Sequence, residues 1–135
     1  YHVGFPQGRP GEASSHLLAR SKLVTRGRYT TEEQVLAWAE SDRSEGIEGT
    51  LSGMSGGPVF GKDGSVIGVT LAESPRRGRI YTATQDSISR FLEDEGLIAP
   101  GGEAHPLAAS SYAREADLLR DERAVVKVLC RVSDR

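Results

Sequence analysis

One cysteine, Cys130, stands in a chain of 135 residues, and a lone thiol excludes an internal disulfide. Whatever fold forms must be held by its apolar core. Aromatic residues are few (one tryptophan, four tyrosines, three phenylalanines), and methionine occurs once. No apolar run approaches the roughly 20 residues that a membrane-spanning helix needs, so no membrane segment is expected. An excess of charge is missing too: 17 Lys and Arg face 19 Asp and Glu, a net −2 with pI near 5.9. That removes the basic signature of a nucleic-acid-binding chain. No initiator or signal-peptide pattern precedes Tyr1, so the expectation is a chain that begins within a longer protein. Its length is one domain's worth, and no internal repeat is visible.

What the sequence does have is a concentration of glycine around one serine, Gly53-Met54-Ser55-Gly56-Gly57-Pro58-Val59-Phe60. Three glycines in five residues let a backbone turn tightly and bring amide N–H groups close to a ligand. Beyond it, Pro58–Phe60, Gly61-Lys62-Asp63-Gly64 and Ser65–Leu71 read as strand, turn, strand, with Asp63-Gly64 as the hairpin signal. Gly-x-Ser-x-Gly also fits the nucleophile elbow of α/β-hydrolases, and Ser55, Asp86 or Asp94, then His105 stand in that family's order. That elbow needs a helix directly after the serine. Pro58 and the β-branched run argue against one. A phosphate-cradling loop is disfavoured because no Lys-Ser/Thr pair opens a helix.

Elsewhere, Tyr1–Phe5 alternates as a short strand before the turn-rich Pro6–Gly11. Ser15–Thr25 reads as a strand, and Arg26-Gly27-Arg28 as a turn. Thr30–Gln34 has the form of a capping box leading into Val35–Glu40, a helix signal when read alone. Ser41–Ser52 reads as a loop, Glu73–Gly78 as a second loop carrying Arg76 and Arg77 next to Arg79, and Ile80–Thr84 as a strand. Asp86–Asp94 has the spacing of a helix closing near Gly96. Residues 99–106 form a linker, followed by a helix over about Ser111–Arg123 and a strand over Ala124–Val132. Trp38 reads as core, Cys130 as a buried strand residue, and the arginines around Gly78 as a solvated face that could also favour acidic ligands.

Gly-Met-Ser-Gly-Gly-Pro ahead of an apolar hairpin closely resembles the nucleophile segment of trypsin-like (chymotrypsin-fold) serine proteases, nearest to the cysteine-poor bacterial members. Gly4-Phe5-Pro6 after a strand also resembles the start of their second barrel. The resemblance extends over roughly Tyr1 to Leu92. It implies an all-β fold, a trypsin-like Greek-key barrel over residues 1–96 that is the second half of a double-barrel protease. A C-terminal helix would close it, and a linker with a short helix-strand tail would occupy 97–135. It also implies a strand, not a helix, at Val35–Trp38, and that is the reading adopted here.

By the same resemblance the activity is serine endopeptidase chemistry through an acyl-enzyme. Ser55 would be the nucleophile, and the Gly53 and Ser55 amides the oxyanion hole. Gly49, Thr50 and Leu51 would wall the primary specificity pocket, and Thr70, Leu71 and Ala72 would form the strand that pairs with substrate backbone. No cofactor or metal is implied. The partners are a polypeptide substrate and the N-terminal barrel of the same protein, and the setting is periplasmic or secreted. Only 54 residues precede Ser55, too few for the barrel that carries the family's histidine and aspartate. His2 and His16 read as surface or strand histidines, and His105 as a linker residue. Met54 stands where trypsin-type enzymes keep an activating aspartate. Gly49, six before the serine, gives no counter-charge for Lys or Arg substrates. The alternative reading is a catalytically silent trypsin-like module that binds peptides or proteins.

Overall fold

The computed structural model describes residues 1–97 and 104–131. Six antiparallel strands close into a barrel: β1 (His2–Gly4), β2 (Gly11–Arg26), β3 (Thr30–Arg43), β4 (Pro58–Phe60), β5 (Val66–Ser74) and β6 (Arg79–Ala83). Around the barrel the order is β1-β2-β3-β6-β5-β4, and β4 returns to β1 through His2 opposite Val59. The Phe60 amide also donates to the Tyr1 carbonyl at 2.8 Å. Closure removes the unpaired edges that an open sheet would expose.

The helix signal at Thr30–Glu40 gives way to strand, as the adopted reading expects. Thr30–Gln34 pair with Lys22–Arg26 across the β2–β3 hairpin, and Val35–Ala39 pair with β6 on the other side. A capping box is worth about 1 kcal/mol, less than ladders on both sides of one strand. Trp38 enters the core with Ala13, Ile47, Leu51, Met54 and Ile80, and its indole N–H donates to Thr82 Oγ1 at 2.9 Å. The expected β4–β5 hairpin is present. Asp63 Oδ1 accepts from the Ser65 amide and hydroxyl at 3.1 and 2.7 Å, which holds the turn.

Two expected loops are shorter than read. Strand β3 runs on to Arg43, and β5 continues through Glu73 and Ser74 before the short 3-10 turn Pro75–Arg77. After β6, helix α1 (Gln85–Asp94) starts at Thr84, whose hydroxyl accepts from the Ser87 amide at 3.2 Å. The expected linker over 99–106 lies partly outside the described residues.

Helix α2 (Tyr112–Asp121) forms within the expected range and packs back on the barrel. Ala116 and Val125 share a buried cluster with Val3, bordered by Phe5, Phe60 and Leu119. Arg120 ties the helix down: it pairs with Glu12 at 2.5 Å, both side chains more than nine-tenths buried, and donates to the carbonyls of Gly4 and Gly11. The expected strand after this helix is absent over Ala124–Arg131, and Val132 lies outside the described residues. Among the described residues no strand pairs with this segment, and β-propensity without a partner does not make a strand. Cys130 is accordingly exposed, not buried.

Candidate active site

Ser55 sits in the connection between β3 and β4, on a turn held from below and from both sides. Met54, 1% exposed, points into the core and anchors the turn, while the adjacent Ser55 is exposed. This is an in-out alternation across a single peptide bond. The glycines are required by what surrounds them. Gly53 has φ +97°, and a Cβ there would stand 2.6 Å from the Phe5 carbonyl oxygen; a Cβ on Gly57 would collide with the Val3 carbonyl. The end of β1 thus presses on the turn, and only glycine admits the approach.

Strand β5 fixes the other flank. The Gly56 amide donates to the Thr70 carbonyl at 2.8 Å, the Thr70 amide to Gly57 at 2.9 Å, and the Ser55 hydroxyl to the Leu71 carbonyl at 3.2 Å. By contrast, the amides of Gly53 and Ser55 have no acceptor among the described residues. Two backbone donors are thus left free at an exposed turn that also carries a hydroxyl.

Ser55 lines two cavities. One, of about 250 Å³, is formed with Thr50, Leu51, Thr70, Ala72 and Glu73. The other, of about 570 Å³, lies between the Gly53–Pro58 turn, Phe5 and the tail segment Ala124–Leu129. Lys127 holds that tail in place by donating to the Gly8 carbonyl at 3.1 Å.

Of the sequence-derived site residues, Ser55, Gly53, Thr50, Leu51, Thr70 and Ala72 come together around the serine. Leu71 contributes its carbonyl and not its side chain. Gly49 does not line the smaller cavity; its carbonyl accepts from Arg43 Nη1 at 3.0 Å. Two participants, Gln7 and Glu73, lie outside the sequence-derived set. Gln7, in a left-handed conformation at φ +53°, donates through its side-chain amide to the carbonyls of Glu48 and Thr50 and through its backbone to Ser52. It clamps the cavity wall from 41 residues or more away. Glu73 accepts from the Leu51 amide at 2.8 and 2.9 Å and from the Thr50 hydroxyl. Continuing the strand pattern beyond Leu71 would have placed Glu73 on β5.

None of the histidines hydrogen-bonds to Ser55. No family model matches this chain, and no curated protein or solved structure matches it either. The site's chemistry therefore rests on its own geometry. His2 is fully buried on β1, a strand residue as expected but not a surface one, with Nε2 2.7 Å from Ser15 Oγ and Nδ1 3.3 Å from Thr70 Oγ1. Burial pushes its pKa down to about 3, so it stays neutral. His16 pairs with Ser41 on the exposed part of β2. His105 borders a separate cavity beside α2. Among the described residues, no group of His, Cys, Asp and Glu could hold a metal ion, and no helix is long and apolar enough to cross a membrane.

Proposed function

We propose that this chain is the nucleophile-bearing half of a trypsin-like serine endopeptidase. The observation that carries the reading is the Gly53–Gly57 turn. It exposes one hydroxyl between two cavities and leaves the Gly53 and Ser55 amides without acceptors. The barrel order adds support, because β4, β1, β2 and β3 lie side by side in the 4-1-2-3 arrangement of a Greek key.

In this reading Ser55 Oγ attacks the peptide carbonyl while a base takes its proton, and the carbonyl oxygen becomes an oxyanion between the two amides. Collapse expels the amine and leaves an acyl-serine, which water then hydrolyses. Each oxyanion donor is worth about 3 kcal/mol of transition-state stabilisation. In this reading the base and its orienting carboxylate come from a preceding barrel of the same protein, since none of the three histidines here hydrogen-bonds to Ser55. A periplasmic or secreted setting accompanies the family reading.

A fluorophosphonate probe tests this on the protein extended upstream of Tyr1. Adduct on Ser55, absent from Ser55→Ala, is the expected result; a folded extended protein that resists labelling overturns it. One observation favours a second reading, a silent peptide-binding module: the Ser55 hydroxyl is engaged by the Leu71 carbonyl and not by a base. Absence of labelling would move the assignment there.

A further inference from the structure

A cavity of about 380 Å³ lies between helix α2, the β4–β5 hairpin and the start of the chain, and it shares no lining residue with either cavity at Ser55. Four of its lining residues follow one stripe of the helix. Glu115, Leu118, Leu119 and Glu122 stand at i, i+3, i+4 and i+7, which is a single helical face. The last turn carries that face to Glu122, whose amide donates to the Leu118 carbonyl at 2.9 Å. The stripe therefore reads carboxylate, leucine, leucine, carboxylate. By the rise of an α-helix its two acidic positions are about 10 Å apart along the axis.

No cation inside the cavity neutralises either end. Glu115 pairs with the exposed Arg114 at 3.2 Å, and Glu122 forms no ion pair among the described residues. The Tyr1 α-amino group and His105 border the cavity, but the first donates to the Phe60 carbonyl at 2.8 Å and neither pairs with a glutamate of the stripe. Glu122 also stands at the C-terminal end of α2, where the helix dipole disfavours an anion, so a cation beside it relieves a local repulsion.

Between the acidic ends the lining is apolar. Leu118 is 47% exposed and Leu119 half-buried. Tyr1 stacks on Tyr112 with ring centres 4.4 Å apart, and Phe60 adds a third ring to the wall. Ring faces attract an ammonium group and accept methylene contact. The volume falls within the roughly 300–1,000 Å³ of small-molecule sites, which favours a small ligand over a protein surface. A methylene chain with a charged group at each end matches both the spacing and the chemistry.

We propose that this cavity binds a linear aliphatic diammonium ion, the chemical class of the di- and polyamines. The ammonium groups sit on Glu115 and Glu122, and the methylene chain lies on Leu118, Leu119 and the aromatic rings. The site is built by the tail and the barrel together and depends on no chemistry at Ser55.

Titrating the 135-residue chain with octamethylenediamine, followed by amide NMR at low salt where charges are least screened, tests the proposal. Saturable shifts are expected at Leu107, Leu118, Leu119 and Glu122. Octylamine, with one charge, and ethylenediamine, too short to reach both carboxylates, should each bind about three- to fivefold more weakly, the scale of one partly exposed ion pair. Glu115→Gln and Glu122→Gln should each weaken the diamine by a similar factor. Equal binding of neutral octanediol or of octylamine, preference for the dianion suberate, or no saturable shift overturns the proposal. Tighter binding of a lysine-rich peptide than of the diamine also overturns it, and would make this face a protein-docking surface. The ligand comparisons are made on the unaltered chain, so they decide even if a variant fails to fold.

Discussion

At the scale of single residues, the turn around Ser55 depends on side chains that are absent. A methyl at Gly53 would need a left-handed backbone and would meet the Phe5 carbonyl oxygen at 2.6 Å. Gly53→Ala should therefore cost on the order of 2–3 kcal/mol, read from the urea midpoint, and an unchanged midpoint would show that the β1 end yields freely. His2 makes a different prediction. Its unfolded pKa is near 6.5 and its folded value about 3. Between those values the unfolded chain binds the extra proton, so the contribution of neutral His2 is complete above about pH 6.5 and is lost as pH falls toward 3. The slope should approach 1.4 kcal/mol per pH unit within that window. Denaturation at pH 7, 5.5 and 4 should show it, and His2→Gln should flatten it; parallel profiles for the two proteins would refute the assignment.

At the scale of elements, Arg120 makes the buried ionic link between the tail and the barrel. Arg120 crosses from α2 to Glu12 and to two backbone carbonyls, and also lies 5.6 Å from the Phe5 ring centre. Removing one partner of a buried pair leaves the other charge uncompensated, which costs about 3–5 kcal/mol. Arg120→Ala should show that loss, with faster amide exchange over residues 112–125. Exchange unchanged in α2 would mean that Val125 and Ala116 alone hold the helix. The β4–β5 hairpin and α1 were legible in the sequence because their signals are local: an Asp-Gly turn between β-branched runs, and an apolar spacing after Thr84. The fate of 30–40 and of 124–131 was not local. Both are compatible with a strand, and among the described residues only the first has strand partners, β2 throughout and β6 over Val35–Ala39.

At the scale of the whole molecule, the tail covers a barrel face that would otherwise be apolar. Val3, Phe5 and Phe60 meet Ala116, Leu119 and Val125 there, while Val126, Val128 and Leu129 remain exposed. Deleting residues 104–135 should uncover that face, raise binding of a hydrophobic dye and promote self-association. A truncated chain that stays monomeric and dye-free would show that the barrel closes its own surface. Ser55 also lines the larger cavity that the tail walls, so the same deletion should enlarge access to the serine on the side away from Glu73.

The amino-acid sequence by itself determined the tight turn at Ser55, because glycines at 53 and 56 admit its positive φ angles, whereas the need for glycine at 57 comes from the Val3 carbonyl of β1. It also determined the alternation of Met54 and Ser55, one apolar and one polar, which sends one side chain into the core and one to solvent. The cavity's chemistry was decided only by tertiary structure. Gln7, Glu73 and Thr50 are far apart along the chain and meet because the barrel closes β1 against β4 and carries β5 past the loop that follows β3. Hydrogen bonds between such distant groups leave no periodicity to read, since each residue type is ordinary at its own position. The charge of the pocket is therefore a property of the closed barrel, not of any segment within it.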